Sequence, residues 1–376
     1  MRFLHVADLH LGRRLGEMDL ADDQAHILGQ ILGLARQHAV DAVLVAGDVY
    51  DRTVPSAAAM QLLDGFFTSL AAAGLPAYII SGNHDSADRL AFGGRLMEGR
   101  GVHLAAVYAG RVPSYRLHDA HGPLTLWALP FLKPGLARCW WPDEDIPDYT
   151  AAVRAVLAHA GVEPGERCVL LAHQFVTAGG RAPRPGGSEA VNVGTLDNVD
   201  ASVFAPFDYV ALGHIHSAQQ VGGPRVRYCG APLKYSVDEA RGQKCALLVE
   251  LAGKGQLSVT PLPLAPLREL RRVQGPLQEL LLHGERTGDY VHAVLTDDAP
   301  LTDAAARLRA VYPNLVKIDF TYARARLAAQ PPLQAQALAG RTPLELFDEF
   351  YASVHGRAMD GGEAGLMRQV FGEVEP

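Results

Sequence analysis

The stretch Asp208-Tyr209-Val210-Ala211-Leu212-Gly213-His214-Ile215-His216 is an apolar run stopped by glycine and followed by two histidines. The same grammar recurs four times. Residues 2–7 end at Asp8-Leu9-His10, and Ala42-Val43-Leu44-Val45-Ala46 ends at Gly47-Asp48-Val49-Tyr50-Asp51. Pro76-Ala77-Tyr78-Ile79-Ile80 runs into Ser81-Gly82-Asn83-His84-Asp85, and Cys168-Val169-Leu170-Leu171-Ala172 ends at His173. Short apolar runs without polar alternation predict strands covered on both faces, as in α/β proteins. Helical apolar spacing fills the intervals at 21–38, about 55–73 and about 148–160. The carboxyl ends of strands in such sheets line the ligand crevice, so all five polar clusters are expected on one rim.

The rest of the chain reads as smaller pieces. Short strands are expected from about 101 to 130, and residues 177–195, rich in Gly, Pro and Arg, as a long loop. Pro261, Pro263 and Pro266 are taken to mark a boundary. The expected division is a first domain at 1–264, a small α/β module at 265–330, a linker at 331–340 and a helical pair at 341–376. In the module, Val291–Leu295 and Leu315–Phe320 read as strands and Thr302–Val311 as a helix. Thr342-Pro343-Leu344-Glu345 is a capping box with proline at the first helical position.

At 376 residues, 48% of them hydrophobic, the chain is long enough for more than one domain and a large core. Its net charge of −7 argues against coating nucleic acid by bulk electrostatics, although bound divalent cations would add local positive charge. No apolar run is long enough to span a bilayer, and Asp8 comes too early for a signal-peptide core. A soluble, unexported, cytoplasmic protein is expected. Cys139, Cys168, Cys229 and Cys245 form no C-x-x-C pair and are expected as small buried hydrophobes.

The residue types at the strand ends select a chemistry. Asp, His and Asn without thiolate suit a hard-to-borderline divalent cation such as Mn²⁺, Fe²⁺ or Zn²⁺. Asp8-x-His10 and His214-x-His216 each supply two donors from one backbone turn, and a carboxylate such as Asp48 can bridge two ions. Two ions can clamp a phosphoryl group and activate a water. His84, beside Asn83, is expected to face substrate and to protonate the leaving oxygen or stabilise developing charge. A lone D-x-H or H-x-H is usually a surface feature. The five clusters together, each at a strand end, make a metal site. The remaining histidines, among them His5, His26, His103, His121 and His292, read as structural.

The set D-x-H, G-D-x-x-D, G-N-H-D, H and G-H-x-H resembles the calcineurin-like metallophosphoesterase superfamily over residues 1 to about 260. The resemblance implies a four-layer α-β-β-α sandwich of two mixed sheets. By motif position, Asp8, His10, Asp48 and His216 would hold one metal, and Asp48, Asn83, His173 and His214 the other. Within the superfamily, A-H-Q-F-V at 172–176, D-Y-V-A-L-G-H-I-H at 208–216 and P-L-K-Y-S-V-D-E at 232–239 are similar to the bacterial SbcD nucleases. That resemblance implies a Mn²⁺-dependent DNA endonuclease and 3′-to-5′ exonuclease that dimerises. It also implies a coiled-coil ATPase partner, SbcC-like, docked by residues 341–376, with 265–330 as a DNA-binding cap. Archaeal relatives carry histidine where Asp51 stands, so Asp51 is expected to orient His84 or a ligand. Arg13, Arg14, Arg181, Arg184, Arg225 and Arg227 flank the motifs and are candidates for phosphate contact.

Three rivals are weighed. A phosphoprotein phosphatase shares G-D-x-x-D-R but differs at Leu11 and Asp85. A small-molecule phosphodiesterase has no evident need for a cap and a tail helix pair. A metal-free scaffold on the same fold would lack several ligands or His84.

Overall fold

The structure, a computed structural model, describes residues 1–163, 165–184, 186–187, 197–321 and 342–374. The expected linker at 331–340 lies outside the described residues. The chain divides into two units, Met1–Leu270 and Arg271–Pro376.

Two six-stranded mixed sheets make the first unit. One runs in the order Leu257–Pro263, Cys245–Leu251, Arg2–Val6, Ala42–Ala46, Ala77–Ile80, Val102–Ala105, the last four mutually parallel. The other runs Gln219–Gln220, Val226–Tyr228, Tyr209–Gly213, Arg167–His173, Gly122–Leu129, Ser114–Asp119, its four central strands parallel. Period-two alternation decides the packing. Val169, Leu171, Tyr209 and Ala211 join Phe3, Leu44 and Ala46 in one apolar cluster between the sheets. Their neighbours Leu170, Ala172, Val210 and Leu212 pack instead with Val153 and Val156 of the helix Tyr149–Ala160. Leu4, Val43 and Val45 are buried on the first sheet's alternate positions. Helices Ala21–Gln37 and Ala57–Ala72 bury Ile27, Ile31, Leu63, Phe66 and Leu70. The architecture is a four-layer α-β-β-α sandwich. Burying one such Leu, Ile or Phe contributes about 1.5–3 kcal/mol, so these stripes fix which face of each element turns inward.

Pro261 and Pro263 lie in the edge strand Leu257–Pro263, where the missing N–H costs no ladder bond on the open side, and the first unit runs on to Leu270, a little past the expected 264. One expectation is corrected. Cys139 is exposed rather than buried, while Cys168 and Cys229 are buried as expected.

Arg167 locks the second sheet's base. It is 5% exposed, donates to both carboxylate oxygens of Asp119 at 3.1 and 2.6 Å, and reaches the carbonyls of Pro123 and Ala252. Arg167, together with the N-terminal amine, holds the Asp119 carboxyl well below the ordinary carboxylate range. Asp119→Asn strands a buried guanidinium, so a loss of about 1–3 kcal/mol in urea unfolding is expected at neutral pH. A depressed carboxyl contributes stability above its unfolded pKa of about 3.9 and loses it as pH falls through the folded value. The gap between wild type and variant therefore narrows only in acid. A gap unchanged down to acid pH would contradict this assignment.

The second unit holds a three-stranded sheet, Leu270–Gly275, Tyr290–Leu295 and Leu315–Phe320, with the middle strand parallel to the last. Helices Leu277–His283 and Ala304–Arg309 contribute Leu277, Ala304 and Leu308 to its apolar cluster, joined by Tyr312 from beyond the second helix. The strand Leu270–Gly275 and the helix after it are additions to the elements expected from sequence. In the tail, helix Pro343–His355 starts at the Thr342 capping box, in which Glu345 answers the Thr342 N–H at 2.8 Å. Helix Gly361–Val374 follows. No helix among the described residues is long and apolar enough to cross a membrane.

Candidate metal centre

The rim forms as expected, and backbone strain marks it. Among the described residues, six that are not glycine have positive φ, and four are Asp8 (53°), His10 (43°), Asp48 (48°) and His214 (107°). Side chains with a Cβ adopt this region at a cost of roughly 1–3 kcal/mol and cluster there at functional sites. Backbone bonds hold the loops in it. The Asp8 N–H donates to the Gly47 carbonyl and the His10 N–H to the Asp48 carbonyl, each at 3.0 Å. The His214 N–H donates to Asp8 Oδ1 at 2.9 Å.

The side chains converge. His10 Nε2 lies 3.0 Å from His216 Nε2, and Asp48 Oδ2 lies 3.3 Å from His173 Nε2 and 3.7 Å from His10 Nε2. Asn83 Oδ1 is 3.0 Å from His173 Nε2 and 2.9 Å from His214 Nδ1. His173 Nδ1 donates to the Ala46 carbonyl at 2.8 Å, which aims Nε2 at Asp48 and Asn83. All seven expected ligands are thus in one cluster. Donor atoms within 4.8 Å of one another group Asp8 with His10 and His216, and Asp8 again with Asp48 and His173. Asp8 is therefore as central as Asp48, the residue that the sequence singles out.

The electrostatics are those of a site built to compensate added positive charge. Burial raises the Asp8 carboxyl to about 6 against the pull of His173 and His216. Burial also works against ionised Asp48, but His173 and His10 outweigh it and hold Asp48 well below the carboxylate range. His173, likewise opposed by burial, is raised to about 9 by Asp48 and Asp8, whereas burial keeps His10 well below its ordinary value. Asp8 Oδ2 is buried without a hydrogen-bond partner. An orphaned carboxylate oxygen at the centre of imidazoles and a second carboxylate is a donor set that fits divalent cations.

His84 sits differently. Its backbone N–H donates to Asp48 Oδ1 at 2.9 Å, while its ring Nδ1 donates to the Asp51 carbonyl at 2.9 Å. The second ring nitrogen is left for other work. The Asp51 side chain faces elsewhere, 2.9 Å from Arg13 Nη1 and 3.7 Å from His10 Nδ1. Arg13 is thus tied to Asp51 and lies over the Tyr235 ring at 5.6 Å. Arg181, Arg184 and Arg225 are exposed. His5 is buried with Nδ1 2.9 Å from the Tyr209 hydroxyl, a structural placement as expected.

Several residues escape a reading of the sequence. Asp85 accepts from the N–H groups of Gly82, Val49 and Tyr50 and so ties the Asn83-His84 loop to the Asp48 loop. Gln24 accepts from Gly12 N–H and donates to the His10 carbonyl at 2.7 Å. The Tyr235 hydroxyl donates to the Leu9 carbonyl. Asp85 stands inside the G-N-H-D motif and could have been found there; Gln24, on a helix face, gives no local signal.

The calcineurin-like phosphoesterase family profile matches residues 1–218, more than half of the chain. The chain belongs to the calcineurin-like phosphoesterase family. Members of this phosphoesterase family use divalent metal ions, and the clustered donors agree with that. A second profile, the type 5 capsule protein repressor C-terminal domain, matches residues 266–355. Among curated relatives, a subunit of the nuclease SbcCD from Staphylococcus epidermidis is 28% identical over 85% of each chain. The same nuclease subunit of Staphylococcus saprophyticus is 26% identical, covering 99% of this phosphoesterase and 98% of the relative. Among solved structures, TT1561 of Thermus thermophilus aligns with TM-score 0.38 and 16% identity over 69% of this chain and 98% of its own. A dimetal phosphatase from Danio rerio aligns with TM-score 0.40 and 13% identity over 70% and 98%.

Proposed function

We propose that this phosphoesterase is the nuclease subunit of an SbcCD-type DNA repair complex, a metal-dependent phosphodiester hydrolase acting on DNA. The observation that carries the reading is a complete donor set on a chain that matches named nuclease subunits nearly end to end, beyond the phosphoesterase domain. In this reading Asp8, His10, Asp48 and His216 hold one ion, and Asp48, Asn83, His173 and His214 the other, with Mn²⁺ the native metal. Bound ions supply Lewis acidity and an activated water. The protein's own part is positioning: His84, its Nδ1 committed to the Asp51 carbonyl, turns Nε2 toward the leaving oxygen as proton donor. Asp51 acts through its backbone on His84 and through its carboxylate on Arg13 and His10.

The phosphatase and small-phosphodiesterase rivals are less favoured, since neither accounts for the match through residues 266–355. Hydrolysis assays with Mn²⁺, Mg²⁺ or Zn²⁺ on single-stranded, duplex and hairpin DNA beside a phosphopeptide test this. DNA cleavage is expected; cleavage of the phosphopeptide alone would overturn the nuclease reading. Asp48→Ala is expected to lose the binding of both ions, read by metal analysis after desalting. Two retained ions would refute its bridging role.

Residues 265–330 are proposed as a DNA-binding cap, and the phosphoesterase as a homodimer in the cytoplasm. The tail is proposed to dock a coiled-coil ATPase. Phe350 (56% exposed), Val354, Leu366 and Val370 give its helices unburied apolar surface. Deleting 341–376 is expected to spare hydrolysis of a small phosphodiester and abolish pull-down of the ATPase. Undiminished pull-down would place docking elsewhere.

A further inference from the structure

The imidazoles of His10 and His216 meet Nε2 to Nε2 at 3.0 Å, and what stands behind each is alike. His10 Nδ1 faces Asp51 Oδ1 at 3.7 Å, and Arg13 donates to that same oxygen at 2.9 Å. His216 Nδ1 faces Glu239 Oε1 at 3.7 Å, and Lys244 Nζ is ion-paired to Glu239 Oε2. Lys244 also donates to the His216 backbone carbonyl at 2.9 Å, so one ammonium fixes both the carboxylate and the histidine's main chain.

The Glu239–Lys244 pair is deeply buried, with side chains 2% and 9% exposed. A buried ion pair is on balance a poor source of stability, because two charges lose their water. Its placement behind an imidazole gives it another use. A carboxylate on Nδ1 fixes the Nδ1–H tautomer, frees Nε2 as a lone-pair donor and makes that donor more basic. We propose that Glu239, held by Lys244, is the positioning residue of His216. This rests on the reading of His216 as a metal ligand. Glu239 and Lys244 touch no substrate; they act through His216. They come from the segment after the second sheet's last strand, far in sequence from most of the strand-end motifs.

The test is calorimetric titration of Mn²⁺ into the metal-free full chain. Glu239→Gln keeps the side chain's size and removes its charge. It is expected to weaken one of two binding events about 10–100-fold, leaving the other unchanged. Glu239→Gln/Lys244→Met leaves no uncompensated buried charge and should melt close to wild type. It is expected to keep the weakened event. Wild-type Mn²⁺ affinity in Glu239→Gln, or recovery of affinity in the double variant, would reduce the pair to charge compensation and overturn the proposal. The nitrogen spectrum of His216 in the wild-type, metal-free chain gives a readout free of mutant folding. The Nδ1–H tautomer is expected, and the Nε2–H tautomer would overturn the assignment. His216→Ala separates the two readings. If it binds Mn²⁺ like wild type, the ligand assignment fails; if it loses an event that Glu239→Gln keeps, only the positioning role fails.

Discussion

Replacing His84 by alanine is expected to leave the proposed ions bound and to lower hydrolysis by about 10²–10⁴-fold, the usual worth of a positioned general acid. The candidate metal centre should survive because the contact His84 makes to it belongs to the backbone: its N–H, not its ring, donates to Asp48 Oδ1. Alanine keeps that N–H. Among the described residues the ring joins a candidate donor group only with His10 and Asp51, and the Asp51 carboxylate is already paired with Arg13. What alanine removes is the imidazole anchored through Nδ1 on the Asp51 carbonyl. Metal analysis beside single-turnover kinetics distinguishes the outcomes. Full activity would end the acid assignment, and loss of an ion would make His84 a ligand.

Gly82→Ala is expected to destroy the centre although no donor is touched. A Cβ on Gly82 would stand 2.1 Å from Asp48 Oδ1 and 2.4 Å from the Asp48 backbone nitrogen. The backbone atom cannot swing aside as a flexible side-chain end can, and Asp48 is already held at positive φ. The whole Asp48 loop must shift, carrying with it the carboxylate proposed to bridge the ions. Retained metal is expected to fall below detection after desalting, with a stability loss of about 1–3 kcal/mol from overpacking. Gly65→Ala is the control: its Cβ would meet nothing within 4 Å in the helix Ala57–Ala72. Alanine there should stabilise by up to about 1 kcal/mol through helix propensity. Normal metal content in Gly82→Ala would show that the loops are more compliant than their packing implies.

Much of this was legible in one dimension. Unbroken apolar runs such as Cys168–Ala172, too short for a buried helix, read as strands covered on both faces, and a polar residue directly after each then emerges at a strand end. Residue type then named the chemistry, because Asp, Asn and His without thiolate are donors for the harder cations. The capping box at Thr342 was equally readable, since both of its bonds close within one turn of chain. That the strand carrying Pro261 and Pro263 is an edge strand was not readable, because edge status is a property of the sheet.

The sequence alone therefore determined strands covered on both faces and candidate donors at their ends, both from local patterns repeated along the chain; the four-layer arrangement came from the family resemblance. Tertiary structure decided what surrounds each donor. His10 and His216 stand 206 residues apart in the chain and meet ring to ring, and the Tyr235 hydroxyl finds the Leu9 carbonyl across 226 residues. Asp8's share in two of the three candidate donor groups, the Glu239–Lys244 pair behind His216 and the closeness of Gly82 to Asp48 are of the same kind. None leaves a local signal, because each arises only where separate strand ends are packed against one another.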